Sequence, residues 1–191
     1  MKKRIDNEWG MNKKKGFTLV ELLISISILS IAILASYTAV SNNLRSANFS
    51  QDQMVAYYLA DEGIEYVRNV RDQNGIQNIH SLGGGGGGVP WLTGIAQIAS
   101  DPCYNKYCTV DSPLNAVSTC SGGASSCPYL RYDATSGLYG YTGTWTLTQF
   151  QRSISITINS ATEATLTSTV TWVTNGVTKS YVLTEILRAW Q

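Results

Sequence analysis

From Phe17 to Val40 the chain is apolar for 24 residues and carries one charge, Glu21. A helix over this stretch is about 36 Å long at ~1.5 Å per residue, enough to cross a hydrocarbon core of about 30 Å. Apart from an isolated Gly63, no helix breaker follows until Asn74-Gly75, so the pattern predicts one helix from about Phe17 to Asp72. Its second half is amphipathic. Val55, Leu59, Tyr66 and Val70 mark a stripe with Tyr58 and Val67 adjoining, while Asp61, Glu62, Glu65, Arg68 and Arg71 lie around the other side. Such a stripe is expected to pack on the chain's own globular part. Gly63 costs about 1 kcal/mol in a helix interior, and it is expected to mark close packing against a sheet.

After the helix the pattern is lost and then returns with another period. Residues 75–137 are turn-rich and include Gly83–Gly88, six consecutive glycines that read as a flexible connector. From Leu138 onward apolar and polar residues alternate: Thr144–Thr148, Ser153–Ile158 and Thr165–Thr174, then Asn175-Gly176 as a two-residue hairpin turn into Val177–Leu187. These give about four antiparallel strands that bury one face on the helix and leave the other solvated. The expected fold class is α+β. Trp145, Trp172 and Tyr181 are expected in core or cross-strand packing. The glycine run satisfies GxGxxG trivially, but no parallel-sheet strand precedes it and no helix follows, which excludes a dinucleotide site. His80 beside it reads as a solvated loop residue.

Charge adds an orientation. Residues 1–16 hold six basic and two acidic residues, and residues 17–191 hold eight basic and eleven acidic ones. The positive charge is confined to a leader, and the body has no footprint for a nucleic-acid backbone. Basic residues ahead of an apolar run place the N-terminus in the cytoplasm and the body outside. A secretory signal peptide cut near Ala39-Val40-Ser41 is the rival reading, but the run is long for one and an acid inside it has no use there.

Cys103, Cys108, Cys120 and Cys127 form an even set in a translocated domain, which argues for two disulfides with three possible connectivities. Local pairing, Cys103–Cys108 with Cys120–Cys127, is the preferred choice. Zinc is the alternative, although CxxxxC and CxxxxxxC fit the usual knuckles poorly. With one histidine and no GxSxG, HExxH or P-loop lysine, the chain offers little for catalysis. A loop carboxylate pair such as Asp101 and Asp111 leaves a membrane-anchored extracytoplasmic enzyme as a remote alternative. No cofactor and no metal are expected.

The segment Gly16-Phe17-Thr18-Leu19-Val20-Glu21-Leu22-Leu23, behind its lysines, resembles the prepilin signal of type IV pilins and of the pseudopilins of type II secretion and DNA-uptake systems. The resemblance implies that a prepilin peptidase cuts between Gly16 and Phe17 on the cytoplasmic side and that Phe17 becomes an N-methylated terminus. A residue without a side chain at Gly16 suits close approach by a protease. Translation from Met1 or from Met11 preserves the motif. Glu21, about 6 Å along the helix from Phe17, is implied to pair with the N-terminal amine of a neighbouring subunit. An acid in an apolar environment needs such a partner. The stretch Ala56–Asp72 is also similar to minor-pilin-like chains.

The expected organisation is a leader (1–16), a transmembrane and assembly helix (17–40), its amphipathic continuation (41–74), a Gly- and Cys-bearing loop region (75–137) and a sheet (138–191). The implied function is a structural subunit of a type IV pilus or pilus-like surface filament, a minor pilin that primes or tips it, with a pseudopilin as the alternative. The implied partners are other pilin subunits, the prepilin peptidase, the inner-membrane assembly platform and, before assembly, the membrane. Because the cysteines precede the sheet, a C-terminal adhesive loop of the family's type is not implied. Nor is there an acidic calcium loop near the C-terminus.

Overall fold

The computed structural model describes residues 16–82, 89–174 and 176–189. The leader up to Lys15, the tract Gly83–Gly88, Asn175 of the hairpin turn and Trp190-Gln191 lie outside the described residues, as do the side chains of residues 78–82, including His80. The chain divides into two compact units, one ending at Ala47 and one beginning at Asn48.

One helix, α1 (Leu19–Leu82), is followed by a seven-stranded sheet: β1 (Tyr107–Asp111), β2 (Ala116–Thr119), β3 (Tyr129–Tyr132), β4 (Tyr139–Gly140), β5 (Thr146–Ser160), β6 (Glu163–Thr174) and β7 (Val177–Arg188). The architecture is α+β, a long helix on an antiparallel sheet. β5 is its spine. One edge pairs with β6 from Gln151 to Ser160, and the other pairs with β3 and then with β1. β6 and β7 run in continuous register from Glu163↔Arg188 to Thr174↔Val177.

The structure departs from the sequence expectation in three places. The sheet has seven strands rather than about four, because the Cys-bearing region supplies β1, β2 and β3. The segments read as separate strands around Thr146 and Ile156 are one 15-residue strand, β5. The helix continues past Asn74-Gly75 to Leu82, and His80 lies on it rather than in a loop. Asn74 does not break the helix because its buried amide donates to the carbonyls of Trp91 and Thr93, at 3.2 and 3.0 Å. That tertiary role outweighs its modest helix propensity.

Alternation along β6 sends Ala164, Leu166, Ser168, Val170 and Trp172 into the core and Thr165, Thr167, Thr169 and Thr171 to the other face. Against this inner face α1 lays Ala56, Leu59, Ala60, Ile64 and Val67, all buried. The expected stripe is thus shifted: Leu59 and Val67 are core, Val55, Tyr66 and Val70 lie at its rim, and Tyr58 is 62% exposed. Small residues mark the closest approach. A Cβ on Gly63 would stand 3.0 Å from Ser168 Oγ, 3.1 Å from Ile154 Cδ1 and 3.2 Å from Arg152 Cδ. Gly63→Leu is therefore expected to destabilise the body by about 1–3 kcal/mol through overpacking. Urea unfolding of the detergent-solubilised chain, followed by the fluorescence of buried Trp172, would read it; an unchanged midpoint would contradict the close contact.

Arg152 is the largest side chain with no exposed surface. It donates to Leu59 O on α1 at 2.8 Å and to Val110 O on β1 at 2.6 Å, and Glu62 Oε2 lies 3.5 Å away. One guanidinium thus ties helix, β5 and β1 together. At the rim, Arg68 bonds both Glu65 and Glu185 of β7, whose hydrogen bonds hold its proton more firmly than usual.

The cysteines pair locally. Cys103–Cys108 and Cys120–Cys127 have Cα separations of 5.1 and 4.8 Å, and no described cysteine is free. The first bridge is wholly buried beneath β1, and the second closes a loop whose Cys127 carbonyl accepts from Gln151 of β5. Such bridges contribute on the order of 2–4 kcal/mol each by restricting the unfolded chain.

Candidate functional site

The site begins where α1 does. Thr18 caps the helix: its Oγ1 accepts from the Glu21 N–H at 3.2 Å, and the Thr18 carbonyl accepts from Leu22 N at 3.1 Å. Thr-x-x-Glu is the spacing of a capping box, which satisfies backbone donors that a helix start leaves open. Glu21 therefore stands in the first turn, where the positive end of the helix favours an anion. The cap was legible as that spacing but was passed over in favour of the acid alone. Phe17, two residues before the helix, is 77% exposed. A Cβ on Gly16 would meet no described atom within 4 Å, so nothing within the chain requires glycine there. The requirement lies with whatever approaches from outside.

Glu21 makes no ion pair among the described residues, and apolar side chains surround it along the helix. Leu19, Val20, Leu22, Leu23 and Ile24 are 54–74% exposed, as are the larger apolar residues through Leu44 at 52% or more. The most apolar 18-residue window of the helix has a mean hydropathy of 2.4 and none of it is buried within the chain. The polar side chains of this segment are quiet. Ser25, Ser27, Ser30 and Ser36 each donate to the carbonyl four residues back at 2.8–2.9 Å, and Thr38 donates to Ala35 O. Hydroxyls satisfied on their own backbone can face hydrocarbon or another helix at little cost. What remains chemically active is one carboxylate, beside the peptide bond that joins Gly16 to Phe17. A carboxylate in that setting can hold a cation and little else.

The other candidate residues are structural in their surroundings. Asp101 accepts from Gln97 N and Ile98 N, and Asp111 accepts from Leu114 N and Tyr141 N, so each closes its own turn. No group of metal-ligating side chains occurs among the described residues. The four cysteines are consumed by the two bridges. Sequence reasoning missed Arg152, for which the only signal was an arginine within an alternating strand pattern.

Comparison with known proteins decides what the N-terminal geometry belongs to. Residues 11–37 match the prokaryotic N-terminal methylation motif. Type II secretion system protein I of Klebsiella michiganensis is 39% identical over 51 residues, which is 27% of this chain and 42% of that protein. This is a type IV pilin-like protein. The matched motif contains Gly16, Phe17 and Glu21, the residues that the structure gathers at the start of α1. The similarity to the secretion protein spans less than half of that relative's length. No solved structure matches the pilin-like chain. Its membrane anchor is the exposed apolar stretch of α1, and the family it resembles assembles subunits into filaments.

Proposed function

We propose that this pilin-like chain is a structural subunit of a type IV pilus or pilus-like filament and not an enzyme. A prepilin peptidase cuts it after Gly16, and Phe17 is methylated. Before assembly, α1 spans the membrane with its N-terminus in the cytoplasm, and an inner-membrane platform lifts it into the filament. The observation that carries this reading is Glu21: one carboxylate, in the first turn of an exposed apolar helix, immediately after the Gly16-Phe17 bond. In a bundle of such helices the new amine of Phe17 on one subunit neutralises Glu21 on the next, at a spacing of about 6 Å along the axis.

Mass spectrometry of filaments sheared from cells is the test. The expected peptide begins at Phe17 and carries an added methyl group. An uncut leader, or a terminus near Ser41, would overturn the reading. The chain's abundance in the same sample separates a bulk subunit from a minor one. A pseudopilin of a secretion or uptake machine is the second reading, favoured by the similarity to type II secretion system protein I. It predicts the processed chain in membranes with no surface filament.

A further inference from the structure

Within the body, the side of α1 turned away from the sheet is apolar where a solvated helix would be charged. Met54 and Tyr58 are 61% and 62% exposed, and Tyr57 is 41% exposed. The Tyr57 ring stands edge-on to Tyr58 and to Tyr181 of β7, with centroids 5.4 and 5.7 Å apart. Together with Ser50 and Gln53 these side chains line a groove of about 400 Å³. Tyr58 also begins a second groove of about 540 Å³, whose carboxylates are Asp61, Glu62 and Glu65. Read along the helix, Met54, Tyr58, Asp61 and Glu65 fall at i, i+4, i+7 and i+11, so one stripe runs from apolar to acidic.

Lipid does not cover this stripe. Met54 follows the last residue of the apolar run, Val40, by 14 positions, or about 21 Å of helix, and its neighbours are acids. The complementary pattern occurs on α1 itself. Tyr37, Val40 and Leu44, at i, i+3 and i+7, are 71%, 57% and 61% exposed, and Arg45 follows them. Arg45 is exposed, is the one basic residue between Glu21 and Arg68, and makes no ion pair among the described residues. Asp61 is likewise exposed and makes no ion pair among them.

We infer that the Met54–Tyr57–Tyr58 groove receives the Tyr37–Val40–Leu44 stripe of a second copy, held in register by Arg45 of that copy against Asp61. The two helices are parallel and displaced by about 16 residues, or ~24 Å. Apolar side chains then meet aromatic ones, and the single cation meets the acidic end. The two stripes are different surfaces of the same helix, so the contact is heterologous and propagates without closing. It also involves a different neighbour from the copy whose amine meets Glu21, since that pairing needs a displacement of only about 6 Å. The inference rests on the filament reading above.

The test uses the full-length chain in cells, with filaments sheared and membranes retained. In the variant Arg45→Cys/Asp61→Cys the two thiols of one chain are about 24 Å apart on the helix, far beyond disulfide or short cross-linker reach. The native cysteines are already paired. A short bismaleimide should therefore give cross-linked multimers from filaments of the double variant and none from either single variant. In parallel, Arg45→Glu and Asp61→Arg should each lower filament incorporation by roughly tenfold or more, and the charge-exchanged double variant should recover it. Membrane levels should stay unchanged throughout. If the unaltered chain enters filaments but gives no multimers, or charge exchange fails to restore incorporation, the inference is wrong and the filament reading stands. If the unaltered chain is absent from every filament, the filament reading itself has failed.

Discussion

Glu21→Ala is expected to leave the chain inserted and cut after Gly16 while its incorporation into filaments falls by about a hundredfold or more. The magnitude follows from the partner left behind. Once the helices associate, an amine that lost its carboxylate would be buried without compensation, and breaking such a pair costs about 3–5 kcal/mol. The contribution of Glu21 to its own helix, through the positive end of the first turn, is only about 0.3–1 kcal/mol. Helix stability is thus too small a term to mimic the effect. Glu21→Gln keeps the shape and a hydrogen-bonding group but loses the charge, and it is expected to assemble nearly as poorly. Immunoblots comparing sheared filaments with membranes, together with the N-terminal sequence of the membrane form, would decide. Unchanged filament yield for either variant would remove Glu21 from assembly.

The second large effect is expected in the body. Arg152→Ala should destabilise it by about 3–5 kcal/mol, a large share of the 5–15 kcal/mol that ordinarily separates folded from unfolded domains. Three groups lose their partner together: the carbonyls of Leu59 and Val110, and the carboxylate of Glu62. Arg152→Lys should recover little, because a single ammonium cannot reach a helix carbonyl and a strand carbonyl in two directions as a planar fork does. Glu62→Gln should cost far less, since that side chain is one-third exposed and its distance to Arg152 is 3.5 Å. Urea midpoints of the solubilised chains should order as Arg152→Ala lowest, Arg152→Lys next and Glu62→Gln nearest the unaltered protein. A Glu62→Gln variant as unstable as Arg152→Ala would show that the ion pair, rather than the two carbonyls, carries the joint.

The same arginine shows why part of the fold could be read from sequence and part could not. The start of α1 was legible because its chemistry is local: a cut site, an acid and an apolar run lie within consecutive positions. β6 and β7 were legible because strict alternation survives in both, with Asn175-Gly176 between them. β5 was read as two pieces, because Gln149 to Arg152 interrupt its apolar rhythm and nothing in the sequence says that Arg152 is buried. Strands β1 and β3 escaped notice because they are short. In β1 every residue after Tyr107 is buried, which leaves no alternation to detect. The end of α1 was misjudged for a related reason. Asn74 and Gly75 are breakers by local preference, whereas the Asn74 amide is held by carbonyls 17 and 19 positions later in the chain. At the candidate site, Gly16, Phe17 and Glu21 could be named in advance. The aromatic groove could not, because Tyr181 reaches Tyr57 only through the folded sheet.

The two disulfides have sequence separations of 5 and 7. Either alternative pairing of the same cysteines would close loops spanning 12 to 24 positions. Ring closure becomes less probable as the loop lengthens, by about 0.6 kcal/mol for each doubling. The native partners are therefore also the nearest partners from the moment the segment leaves the membrane. Oxidation can select the correct isomer by proximity alone, before β5, β6 and β7 exist to enforce it. For this chain, a thiol oxidant without a reshuffling enzyme should suffice to mature the body.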